Sequence, residues 1–137
     1  MTAFDLIKKW EGLRLKAYLC PAGVPTIGYG HTKGVKMGDV ITEDQANMYL
    51  IQDILVVHEA LSKLIKVPLT AGQHDALTSF VFNLGMGNLA SSTLLKLLNQ
   101  GKHLEASAQF PRWNKVKGQV SLGLTNRRAE EMKVFNS

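Results

Sequence analysis

Apolar residues recur with helical spacing along most of this chain, and one Gly-rich stretch near the start breaks that rhythm. Thr2 is placed to cap a first short helix, with Asp5 three residues on; the helix runs to about Glu11 and Gly12 ends it. From residue 14 to about 40 the hydrophobic runs are short, and Pro21-Ala22-Gly23 is a turn signal. This stretch predicts a small antiparallel sheet, with strands near 17–19 and 25–28 and a third further on. Thr42-Glu43-Asp44-Gln45 then forms a capping box and predicts a long helix to about Lys66, stopped by Pro68. Its apolar stripe is Ala46, Tyr49, Leu50, Ile54, Val57, Leu61, Leu64 and Ile65. At ~1.5 Å per residue it spans roughly 35 Å, enough to connect the sheet to a separate helical lobe.

Thr70-Ala71-Gly72-Gln73 is a second capping box, and the helix after it carries Ala76, Leu77, Phe80, Val81 and Leu84 before Gly85. Further helices are expected over 93–100, 103–110 and 125–135, with 118–123 as a loop. The pattern predicts an α+β fold of one catalytic-sized domain, 1–137. In it a small antiparallel sheet lobe (about 14–41) is joined by a long helix to a helical lobe (about 67–137, plus the N-terminal helix).

Composition bounds the class. Hydrophobic residues at 45% and charged residues at 20% suit a soluble globular protein. The formal charge of +5 favours an anionic partner: nucleic acid, an acidic polymer or a membrane surface. Nucleic acid is disfavoured, because the basic residues are spread along the chain without a long run. There is no Cys/His metal spacing, so neither a metal nor another cofactor is expected. Cys20 is the single cysteine and cannot form an internal disulfide. No segment approaches the roughly 18–20 apolar residues of a membrane span, so no stable membrane insertion is expected. The N-terminus alternates apolar and charged residues and does not read as a signal peptide.

Several residues are candidates for chemistry. Most glutamates on helices are solvated, but Glu11 sits at a helix C-terminus, where the macrodipole disfavours negative charge, between Trp10 and Leu13. Both surroundings favour the protonated carboxyl that a general acid needs. Cys20 reads either as an inert thiol or as a nucleophile. In the second case His31 would be its base and Asp53 the orienting group, giving a cysteine peptidase or amidase. Asp53 falls inside the apolar stripe of the long helix, so it needs a partner. His31 is the natural one, and a structural ion pair is the simpler reading of the two. Thr26, after a proline in the second strand, signals nothing alone.

Taken together these residues carry a resemblance. Glu11, eight residues, Cys20, five residues, Thr26, within Trp10-Glu11-Gly12-Leu13-Arg14-Leu15 and Thr26-Ile27-Gly28-Tyr29-Gly30-His31-Thr32, resembles the phage lysozymes, or endolysins, of glycoside hydrolase family 24. That family's pattern is Glu, eight residues, Asp or Cys, five residues, Thr. The blocks Ala76-Leu77-Thr78-Ser79-Phe80-Val81-Phe82-Asn83-Leu84-Gly85, Ser92-Thr93-Leu94-Leu95-Lys96-Leu97-Leu98-Asn99, Trp113, and Gly123-Leu124-Thr125-Asn126-Arg127-Arg128-Ala129-Glu130 extend it over nearly all of the chain.

The resemblance implies a lysozyme-like fold. It also implies inverting hydrolysis of the bond between N-acetylmuramic acid and N-acetylglucosamine in peptidoglycan, causing host cell lysis. Glu11 would be the acid, with Cys20 and Thr26 positioning water. Asn83 and Arg127 would face the substrate, and His31 and Asp53 would form a structural pair linking the lobes. A monomer is the default expectation, made in the host cytoplasm and acting on the periplasmic wall after release; in the family that release is often through a holin-type pore, while some members carry an N-terminal membrane-tethering segment. The rival readings are the cysteine amidase and a non-catalytic wall-binding domain.

Overall fold

The computed structural model describes residues 1–137. In chain order the elements are α1 (Ala3–Glu11), β1 (Arg14–Leu19), β2 (Pro25–Gly28), α2 (Glu43–Leu64), α3 (Ala71–Leu84), α4 (Met86–Ala90), α5 (Thr93–Asn99) and α6 (His103–Ser107). A 3-10 turn (Phe110–Arg112), β3 (Lys115–Val116), β4 (Gln119–Val120) and α7 (Leu122–Phe135) complete the chain. The fold is α+β. It divides into two compact units, Phe4–Val56 and Val57–Ser137 with Met1–Ala3, and α2 runs through the division.

In the first unit β1 and β2 pair antiparallel, with Tyr18 opposite Thr26 and Leu19 opposite Pro25. The connection is a three-residue loop. Gly23 N–H donates to Cys20 O at 2.8 Å, and Cys20 N–H donates to Val24 O at 3.1 Å. Pro21 supplies the fixed φ of a turn's second position, and Gly23, at φ 78°, supplies the left-handed residue that returns the chain to the ladder. The expected third strand is reduced to a single bridge, Lys16 to Val40, because glycines at 34 and 38 leave no extended run before it. Gly28 (φ 67°) brings β2 against the start of α2, where Ala46 is fully buried. The apolar interior here is Leu6, Ile7, Ile27, Tyr29, Ala46, Leu50 and Ile54. The sequence reading grouped α1 with the later helices, whereas the structure groups all but its first residue with this sheet. Lys8 Nζ lies 5.4 Å from the centre of the Tyr29 ring.

The second unit is built on α3. Thr70 and Gln73 close the predicted capping box: the Thr70 hydroxyl accepts from Gln73 N–H at 3.1 Å, and Thr70 N–H donates to Gln73 Oε1 at 2.9 Å. Ser92 and Ser121 cap α5 and α7 in the same way from one side. Each such cap is worth about 1 kcal/mol. Leu61, Ala76, Leu77, Phe80, Leu94, Leu98, Phe110 and Phe135 anchor one continuous core. Phe80 meets both Phe110 and Trp113 edge-on, with centroids 5.6 and 5.5 Å away.

Two expectations change in this unit. The loop predicted over 118–123 instead holds the two residues of β4, which pairs with β3, and the first two of α7, which already starts at Leu122 behind the Ser121 cap. The helix expected over 103–110 stops at Ser107 and tightens into the 3-10 turn because Pro111 cannot continue it. No helix is long and apolar enough to cross a membrane.

Candidate active site

Glu11 is the last residue of α1, and Gly12 (φ 73°) closes the helix by donating to Lys8 O at 3.2 Å. Lys8 and Lys9 occupy the last turn, where cations suit the helix C-terminus; Glu11 is the residue that opposes the dipole. The chain enters β1 three residues after Glu11, at Arg14, which pairs with Gly28, two residues beyond Thr26. The helix end carrying Glu11 is thus tied to the strand carrying Thr26.

Cys20 and Thr26 are brought together by the hairpin. Cys20 takes the first position of its turn, partly exposed, in the manner of an aspartate in an Asx-turn. The backbone N–H groups of Val24 and Ala22 favour the ionised sulfur and hold its thiol below the ordinary range, against desolvation, with a lesser contribution from the Thr26 hydroxyl. Thr26 is buried and donates its hydroxyl proton to Val24 O at 2.9 Å. A hydroxyl has one proton and two acceptor lone pairs. With the proton on Val24 the oxygen accepts from a water; turned toward Cys20 it steadies a thiolate. The hairpin therefore presents an acceptor and a tunable negative charge side by side.

His31 and Asp53 do pair: Nδ1 lies 2.8 Å from Oδ2, and the imidazole stacks on Tyr49 at 4.2 Å and 8°. Both residues belong to the first unit, so the pair ties the segment after β2 to α2 within that unit. No hydrogen bond joins His31 to Cys20, as the nucleophile–base pair of a cysteine peptidase or amidase would need; the imidazole is held by Asp53 and Tyr49.

Arg127, expected to face substrate, is 3% exposed, and its guanidinium has Nη2 on Ser79 O (3.1 Å) and Oγ (3.3 Å) and Nε on Glu131 Oε2 (3.3 Å), which ties it to α3 and to the next turn of α7. Asn83 is half-buried, and its Oδ1 accepts from Arg128 Nη2 at 2.8 Å. Arg128 is fully buried, with Nε 2.8 Å from Glu131 Oε1 and its guanidinium over the Phe80 ring. Burial pushes the Glu131 carboxyl up, opposed first by Arg128 and then by the Ser79 hydroxyl and Arg127. Sequence reasoning missed Ser79, Arg128 and Glu131. The available signal was the Arg-Arg doublet with a glutamate three and four residues on, the spacing of a helical ion pair.

A cavity of about 330 Å³ lies elsewhere in the second unit, lined by Leu61, Ser62, Ile65, Val67, Leu69 and His74. It contains none of the predicted site residues. His74 meets His58 edge-on at 4.2 Å, and the His58 imidazole is pushed down by burial first and by His74 second. No group of three or more His, Cys, Asp or Glu side chains is arranged to hold a metal.

Known proteins resemble this chain in sequence and fold. A family model described as Phage lysozyme matches residues 8–131. The endolysin of Acyrthosiphon pisum secondary endosymbiont phage 1 is 51% identical, over 96% of this chain and 93% of its own. The endolysin of Bacillus phage PZA is 48% identical over 97% of this chain, which spans 53% of that longer relative. Among solved structures, the muramidase domain of SpmX from Asticaccaulis excentricus superposes with a TM-score of 0.92 at 38% identity, covering 98% of this chain and 95% of the other.

Proposed function

The chain belongs to the phage lysozyme family, and from that premise we propose that it is a peptidoglycan muramidase in which Glu11 protonates the leaving glycosidic oxygen. The bond cut is the β-1,4 linkage between N-acetylmuramic acid and N-acetylglucosamine. What supports this reading is the β1–β2 hairpin, which sets Cys20 in its turn and Thr26 on β2, the strand paired with the β1 that follows the Glu11 helix end.

The roles follow from the chemistry of each group. Glu11 gives its proton to the departing oxygen as the bond to the anomeric carbon lengthens. A water held by the Thr26 oxygen attacks that carbon from the opposite face, so the configuration inverts. Cys20 orients the same water and, in its thiolate form, stabilises the positive charge on the sugar and takes the proton that the water loses as it adds; exchange with solvent then returns a proton to Glu11. No glycosyl–sulfur bond forms, because one displacement by water already accounts for inversion. Asn83 retains its Nδ2 donors for substrate, with Oδ1 fixed by Arg128. The whole of 1–137 acts as one catalytic domain. It works as a monomer on the periplasmic wall after release through a holin-type pore.

The test is digestion of purified peptidoglycan by the wild type and by Glu11→Gln, assayed for reducing ends and for amino groups. The wild type should release reducing ends without new amino groups. Glu11→Gln should lose activity by about a thousandfold or more with circular dichroism unchanged, since general acid catalysis and the positioning built around it are removed together. New amino groups without reducing ends would instead establish an amidase. Full activity in Glu11→Gln would remove Glu11 from the mechanism.

A further inference from the structure

We infer that the β3–β4 hairpin is a docking arm for the surface of an anionic phospholipid bilayer. The cations of this chain are spread, but its acids are not: residues 106–129 contain no Asp or Glu, and they hold Arg112, Lys115, Lys117, Arg127 and Arg128. Arg127 and Arg128 are buried, which leaves Arg112, Lys115 and Lys117 exposed. All three flank or lie within one hairpin.

That hairpin is exposed on both faces. Its register sets Lys115 beside Val120 on one face and Val116 beside Gln119 on the other, so each face carries one valine and the arm meets a surface edge-on rather than by one flat side. Val116 is 53% exposed and Val120 67%, and Leu122, at the start of α7, is 75% exposed. A two-stranded hairpin with neither face covered is marginal in water, and exposed valines contribute nothing to it there.

Only its base is secured. Ser121 N–H donates to Asn114 O at 2.8 Å, Asn114 Nδ2 donates to Thr125 Oγ1 at 3.1 Å, and Trp113 packs edge-on against Phe80. The tip is Lys117-Gly118, both with positive φ (50° and 81°). Two-residue turns of this kind favour Asn-Gly. Here the first position holds a lysine in the left-handed region, so a charge is kept at the tip against backbone preference.

The combination selects the partner. A soluble anionic polymer is recognised by cations alone and has no use for Val116, Val120 and Leu122. A bilayer interface takes both: cations at headgroup phosphates and apolar side chains at the acyl boundary. Three cations and a few aliphatic groups give peripheral, salt-sensitive attachment rather than insertion.

The test uses the full chain with vesicles of phosphatidylethanolamine and phosphatidylglycerol, beside vesicles of phosphatidylcholine, at low and high salt. Co-sedimentation is expected with the anionic vesicles at low salt, with little on phosphatidylcholine. The double variant Lys115→Gln, Lys117→Asn should bind about fivefold more weakly per charge removed. Asn suits the turn better than Lys, so the hairpin is kept. Val116→Thr with Val120→Thr preserves charge and strand preference and should also weaken binding. Both variants should digest purified peptidoglycan at the wild-type rate. Wild-type binding that the charge variant leaves unchanged, or no binding to anionic vesicles, would overturn the inference. So would hairpin variants that lose pelleting with peptidoglycan while keeping vesicle binding, which would assign the arm to the wall polymer. Vesicle binding needs no catalysis, so its failure and the failure of the muramidase reading are separate results.

Discussion

Cys20 stands where a carboxylate would carry its charge without help. A thiol must be persuaded to ionise, and the turn does so with donors from Val24, Ala22 and Thr26. The consequence is measurable: the pH midpoint of Cys20 alkylation by iodoacetamide should fall below the value of about 8.5 for free cysteine, and Thr26→Val should move it back upward. Cys20→Ser should keep measurable muralytic activity, because serine still orients water although it carries no charge. The spacing of Glu11, Cys20 and Thr26 was legible in the sequence. The donors were not, since they are backbone groups of a turn. The buried bonds of Arg127 were not legible, because a sequence does not say which way a guanidinium points. It serves Glu131 and Ser79, and this buried cluster makes its own prediction. Glu131→Gln leaves Arg127 and Arg128 without that carboxylate and should cost ~3–5 kcal/mol, read as a fall in thermal midpoint. An unchanged midpoint would show that the cluster contributes no net stability.

At the scale of elements, the long and well-capped pieces were legible and the short ones were not. The Thr70 box fixed the start of α3, and Gly85 its end, because caps are local chemistry. The β3–β4 hairpin escaped because two-residue strands are too short to show alternation, and Lys117-Gly118 hides a turn usually marked by Asn-Gly. Close approach is also invisible before folding. A Cβ added at Gly28 would stand 3.4 Å from the Ala46 Cβ, at a φ of 67° that L residues avoid. Gly28→Ala should therefore cost ~1–2 kcal/mol from the backbone alone. Chemical denaturation should show a lower midpoint with an unchanged slope.

Across the whole molecule, charge and core divide unequally. Residues 4–56 hold six basic against six acidic side chains, while the remainder holds ten against five, so the entire net charge of +5 belongs to the second unit. Composition yields the total without its location, because the boundary falls inside α2 and leaves no composition break. The apolar interior is divided in the same direction: twelve buried residues form the second unit's core, against seven in the first. Resistance to opening follows buried apolar contact, so the two units should differ in local stability. Hydrogen exchange resolves this residue by residue. Amides of α3 around Leu77 and Phe80 should exchange slowest, near the rate of global unfolding, and those of β1 and β2 clearly faster. Because α2 runs through both units, protection should rise along a single helix, from Leu50 and Ile54 toward Leu61. Uniform protection along α2, equal to that of α3, would mean that the smaller interior opens only when the larger one does.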